Sequence, residues 1–165
     1  PDGSFFAANT DYSAALTSLK EHVKDQTNED GSPRAVGKLF VLVLGAGGAA
    51  RAVAHALHAE GAHVTIASRT EERAKTLAAE VGCRYVDWPA RHNVLPCDVV
   101  VNCTPVGMHP NVDESPIHAS FLKPGLTVFD TVYTPENTLL VREARLRGCG
   151  GVTGAVSWTG PLPAV

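Results

Sequence analysis

Six apolar residues, Leu39-Phe40-Val41-Leu42-Val43-Leu44, run directly into Gly45-Ala46-Gly47-Gly48-Ala49-Ala50, and an alanine-rich stretch follows. A strand with one wet face alternates apolar and polar side chains. A continuous apolar run bounded by a turn signal instead reads as a strand covered on both faces. Such strands belong to parallel sheets, whose crossover helices pack on either side. This one junction therefore excludes an all-helical chain and an open antiparallel sheet.

The remainder repeats the pattern. Residues 48–60 read as a helix closed by Gly61, and Val64-Thr65-Ile66-Ala67 as a strand. Thr70 or Ser68 is placed to cap a helix running to about Val81, with Gly82 after it. Short strands are expected at 84–86, 98–102 and 127–130, an irregular segment at 88–96, and a helix over 136–147 stopped by Gly148. Upstream, Tyr12, Ala15, Leu16, Leu19 and Val23 recur at helical spacing, and the polar residues 24–37 read as a loop. Strands alternating with helices predict an α/β fold, a Rossmann-like doubly wound parallel sheet with helices on both faces. Residues 1–37 are expected to be an inter-domain helix and linker, and 38–165 the nucleotide-binding domain.

Composition narrows the function classes. Hydrophobic residues make up 44% of the 165 and charged residues 19%, which excludes wholesale disorder. A net charge of −3 argues against a nucleic-acid partner. No apolar run approaches the roughly 20 residues of a membrane span, and no signal peptide is visible. The chain does not begin with Met, so a piece of a longer protein is expected. Cys83, Cys97, Cys103 and Cys149 form no Cys-x-x-Cys pair. With His92 and His109 they match no common zinc module, so no metal is expected. Near-core thiols in a reducing, cytoplasmic compartment are the simpler reading. His55 and His58, three apart on a helix, are expected to be surface or helix-packing residues.

The glycine run carries chemistry. It fits G-x-G-x-x-G/A, with Gly45 for the tight turn, Gly47 for close backbone approach to a pyrophosphate and Ala50 for helix–sheet packing. The helix behind it offers free amides and a partial positive charge to an anion. A glycine-rich turn with no ligand is the competing explanation. At the end of the second strand, an NAD enzyme usually carries an acid that bonds the ribose 2′-hydroxyl. Here Ser68-Arg69-Thr70 stands there, with Arg73 one turn later. Arg69 suits a 2′-phosphate, so NADP is favoured over NAD. The competing explanation is a solvated basic helix start neutralised by Glu71 and Glu72. The exits of the fourth and fifth strands, from Cys103 to Met108 and from Thr131 to Tyr133, are expected to line the nicotinamide half. Tyr133 reads equally as a half-buried loop residue.

These motifs together resemble the shikimate dehydrogenase family. The resemblance rests on Asn9-Thr10-Asp11, on Gly45-Ala46-Gly47-Gly48-Ala49 and on Ser68-Arg69-Thr70 with Arg73. It also rests on Asn102-Cys103-Thr104-Pro105-Val106-Gly107-Met108, and on Asp130-Thr131-Val132-Tyr133-Thr134-Pro135 followed by Thr138-Leu139-Leu140. It implies NADP as cofactor, a small-molecule substrate (shikimate or 3-dehydroshikimate), and a separate substrate domain as partner. Asp11 then corresponds to the catalytic and substrate-binding carboxylate, and Tyr133 to a substrate-contacting residue. Gly45 to Ala49, Ser68, Arg69, Thr70, Arg73, Thr104, Thr131 and Gly154 correspond to cofactor-binding positions.

Two departures bear on activity. The family's lysine lies upstream of Asn-Thr-Asp, and none of residues 1–8 is lysine. No glutamine follows Gln26, although the family carries one after its late glycine. Hydride transfer needs the substrate held near the nicotinamide and a proton donor within about 3 Å of the carbonyl oxygen. The expectation is therefore NADP binding with weak or no turnover by these residues alone. A quinate dehydrogenase, a glutamyl-tRNA reductase domain and a non-catalytic NADP sensor are the alternatives. Fusion to dehydroquinate dehydratase in a bifunctional parent is a further possibility.

Overall fold

A computed structural model describes residues 17, 19–23, 31 and 34–153. Its strands are β1 (Phe40–Leu44), β2 (His63–Ser68), β3 (Arg84–Asp87), β4 (Val99–Asn102), β5 (Thr127–Asp130) and β6 (Gly150–Thr153). Helices α1 (Gly48–Ala59) and α2 (Glu71–Val81) follow β1 and β2, and α3 (Leu139–Leu146) joins β5 to β6. The sheet is six-stranded, in the order β3-β2-β1-β4-β5-β6, and every pairing is parallel. The chain thus winds outward from β1 in both directions, as the doubly wound reading requires.

β1 shows why its sequence does not alternate. Val41 and Val43 face a cluster formed with Val53, Ala54 and Leu57 of α1 and Leu77 and Val81 of α2. Leu42 and Leu44 face the opposite cluster, with Leu140 and Ala144 of α3 and with Ile117 and Leu122. Every residue from Val41 to Leu44 is at most 1% exposed. Residues 19–23 are helical, and Leu19 and Val23 pack into the α1–α2 side. The Lys20 ammonium meets the Glu60 carboxylate at 2.7 Å, tying this helix to the end of α1.

The strand limits shift by one residue at most from expectation, while the start of α3 and the presence of β6 differ more. α3 begins at residue 139 rather than 136, because Thr138 caps it: its hydroxyl oxygen accepts from the Val141 amide at 3.2 Å. β6 was not anticipated, since a strand opening Gly150-Gly151 lacks the β-branched signal and is recruited by pairing with β5. The connection from β4 to β5 has no α-helix, only a 3-10 turn at Ala119–Phe121. α2 ends as predicted, with Gly82 at φ +81° donating its amide to Ala78.

Candidate cofactor site

β1 and β4 are neighbours whose connections leave in opposite directions, which opens a crevice at their carboxyl ends. Gly45 lies at its base. Its amide donates to the Ala67 carbonyl at 2.7 Å, and the Cys103 amide donates to the Leu44 carbonyl at 2.8 Å. Gly45 has φ +112°, and a Cβ there would sit 2.9 Å from the Cys103 carbonyl oxygen. Gly47 is different. It is the N-cap of α1, with φ −89° and ψ −170°, and a Cβ on it or on Gly48 would meet nothing within 4 Å. Gly47 has no side chain with which to cap α1, and no acid stands in the first turn. The first-turn amides therefore point at open space with a partial positive charge behind them. Ala46 and Ala49 are half-buried beside the turn, and Ala50 is fully buried against the sheet.

At the β2 exit the Ser68 hydroxyl oxygen accepts from the Thr70 amide at 3.2 Å. Thr70 occupies the N-cap position of α2 but makes no side-chain cap bond. Neither expected cap is therefore made: Ser68 instead shapes the turn, because its oxygen reaches only two residues along. Arg69, Thr70 and Arg73 are exposed. Glu71 and Glu72 do not neutralise the arginines. Both carboxylates engage Lys75, at 2.7 and 3.5 Å, and among the described residues no carboxylate pairs with Arg69 or Arg73. Arg51 and His55 of α1 both meet Glu80 of α2 instead. No group of three metal-ligating side chains occurs among the described residues, and all four cysteines are free thiols.

The exits of β4 and β5 are joined by a buried polar network. The Asn102 amide nitrogen donates to Asp130 Oδ1 at 3.0 Å and to the Val106 carbonyl at 3.2 Å. Asn102 Oδ1 accepts from the Thr104 amide at 3.0 Å and from its hydroxyl at 2.7 Å. The Val132 amide also donates to Asp130 Oδ1, and the Thr138 hydroxyl to Oδ2 at 2.7 Å. Asn102, Asp130 and Thr138 are all 0% exposed. Burial pushes the Asp130 carboxyl above its usual range, and the Thr138, Val132 and Asn102 donors only partly offset this. These three residues lie within the sequence motifs above, where composition and spacing assign them no role. The available signal was a polar residue at the last position of each of two apolar strands.

Thr104 is half-buried at this rim, and the Thr131 hydroxyl donates to the Asn102 carbonyl at 2.8 Å. Tyr133 is 67% exposed, so it is not the half-buried residue of the competing reading. Asp11 and Gly154 lie outside the described residues.

A family profile described as shikimate / quinate 5-dehydrogenase matches residues 32–122. The chain belongs to this family. It is 42% identical over 142 residues to the shikimate dehydrogenase (NADP(+)) of Methanosarcina mazei, an alignment covering 74% of this chain and 51% of that one. Its fold is similar to a Thermus thermophilus shikimate 5-dehydrogenase solved with NADP(H) and shikimate. The TM-score there is 0.71 at 35% identity, over 88% of this chain and 50% of the other. It is equally similar to a Corynebacterium glutamicum quinate dehydrogenase solved with NAD, with TM-score 0.73 at 31% identity over 90% and 52% of the two chains. The chain thus spans about half the length of the relatives it matches. No helix among the described residues is long and apolar enough to cross a membrane.

Proposed function

We propose that this chain is the NADP-binding domain of a shikimate dehydrogenase, the enzyme that interconverts 3-dehydroshikimate and shikimate. The observation that carries the cofactor choice is that no carboxylate among the described residues pairs with Arg69 or Arg73 beside Ser68, while Glu71 and Glu72 are held by Lys75. The turn fits a dinucleotide: an open cradle at Gly47 and Gly48, uncapped amides behind it, and backbone contact enforced at Gly45. Gly45 to Ala49 would hold the pyrophosphate. Ser68, Arg69, Thr70 and Arg73 would hold the 2′-phosphate. Thr104, Thr131 and Gly154 would border the nicotinamide. Bound NADP(H) supplies the hydride acceptor or donor. Tyr133 and Asp11 are assigned to the substrate, Asp11 as the carboxylate that orients a hydroxyl and assists proton transfer.

Turnover further requires the substrate domain and its lysine, which we assign to sequence upstream of this chain. The chain alone is expected to bind nucleotide and to turn over shikimate poorly. A quinate-type enzyme is the second reading, favoured by the equal likeness to the Corynebacterium structure. The basic β2 exit weighs toward a 2′-phosphate in either case.

Calorimetric titration of NADP+ and NAD+ into the chain and into Arg69→Ala tests the assignment. A charge-assisted hydrogen bond to phosphate contributes about 1.5–3 kcal/mol, so the variant should lose roughly 10- to 150-fold in NADP+ affinity and little in NAD+ affinity. Equal losses for the two nucleotides, or none, would remove Arg69 from the site.

A further inference from the structure

We infer that Asp130 is a positioning residue: through Asn102 and Thr138 it locks the β4 and β5 exits into one preset rim for the nicotinamide half of the dinucleotide. The inference rests on the cofactor reading above and adds a role for three fully buried residues to which that reading assigns none.

The geometry is specific. Asp130 closes β5 and Asn102 closes β4, and the two are register partners in adjacent strands. Their side chains meet at 3.0 Å. From this pair the bonds fan out to three separate pieces of backbone. Asn102 fixes Thr104 and Val106 of the β4 exit, through the Thr104 amide and hydroxyl and the Val106 carbonyl. Asp130 fixes the Val132 amide of the β5 exit, one residue before Tyr133. Asp130 also takes the Thr138 hydroxyl, and Thr138 in turn caps α3. Farther out, the His109 amide donates to the Thr134 carbonyl at 3.0 Å, so the loops are tied at their outer ends too.

A buried carboxylate carries a desolvation cost that a purely apolar strand end would avoid. Its three bonds here run to three different segments, and no buried polar side-chain atom among the described residues lacks a partner. A fully connected network of this kind holds one geometry, whereas loops without it sample several. Preset loops lower the ordering cost of binding. The phosphate turn packs on Cys103 and Thr104, but no hydrogen bond of the network runs to it or to the β2 exit, so the adenosine half of the ligand should sense it least.

The test separates the two halves. NADP+ and 2′,5′-ADP are titrated into the wild-type chain, Thr138→Val, Thr138→Ser and Asp130→Asn. Thr138→Val removes both the Asp130 bond and the α3 cap, whereas Asp130→Asn changes the bond and leaves the cap. We expect both to weaken NADP+ by about ten-fold, the loss of roughly one buried hydrogen bond, with 2′,5′-ADP affinity unchanged. Thr138→Ser should restore NADP+ affinity. If Thr138→Val fails to fold, Asp130→Asn carries the same comparison. Equal weakening of both ligands, or wild-type affinity for both, overturns the positioning role while leaving the cofactor reading in place. A wild-type chain that binds neither ligand overturns the cofactor reading itself, and this inference with it.

Discussion

Gly45 and Gly47 are two residues apart in one motif, yet physics asks different things of them. Gly45 is needed by the fold: its positive φ and the 2.9 Å approach to Cys103 leave no room for a side chain. Gly47 has an extended backbone and free space around it, so a side chain there clashes with nothing and costs only a poorer helix N-cap until a ligand arrives. Gly45→Ala should therefore lower the urea midpoint, by the equivalent of about 1–3 kcal/mol for strained backbone. Gly47→Val should lose no more than the roughly 1 kcal/mol of a poorer helix cap and lose NADP+ binding at least roughly ten-fold. A Gly47→Val chain that binds normally would mean that the pyrophosphate does not cross this turn.

At the scale of elements, the junction of β4, β5 and α3 is where charge and burial oppose each other. Asp130 has its carboxyl raised above the ordinary value by desolvation. A carboxyl whose folded pKa exceeds its unfolded value binds protons more readily in the folded state. Its contribution to stability is best in acid and falls as pH rises from about 4, the ordinary aspartate value, through the raised folded value. Denaturant unfolding of wild type and Asp130→Asn across pH 3.5–7 should show wild type losing ground to the variant as pH rises. The opposite slope would mean that the three donors outweigh desolvation.

The same junction marks what the sequence could and could not convey. β1 and α1 were legible because a continuous apolar run, a glycine turn and an alanine-rich helix each obey a local rule. The end of α2 was legible because Gly82 is the one residue type that takes φ +81° without strain. The start of α3 was misplaced by three residues, because the cap at Thr138 is fixed partly by its bond to Asp130, a partner eight positions away. β6 was invisible: two glycines pair as a strand only because β5 offers an edge and α3 delivers the chain to it. In the site, Arg69 was legible as a cation at a strand end. That Glu71 and Glu72 would turn to Lys75 rather than to Arg69 or Arg73 depended on helical spacing and rotamer choice that composition does not reveal.

Taken whole, the molecule is a parallel sheet buried between two apolar layers, and Gly45, Ser68, Asn102 and Asp130 stand at the carboxyl ends of β1, β2, β4 and β5. On the proposed reading, that end of the sheet is the nucleotide site and the rest holds it still. The chain spans about half of its relatives, and the proposal assigns it nucleotide binding alone. Amide NMR spectra recorded during an NADP+ titration test this most directly. Saturable shifts concentrated at residues 45–50, 68–73, 103–106 and 131–133 are predicted, at a single dissociation constant. Spectra that stay unchanged at millimolar nucleotide, or that shift mainly elsewhere on the sheet, would contradict it.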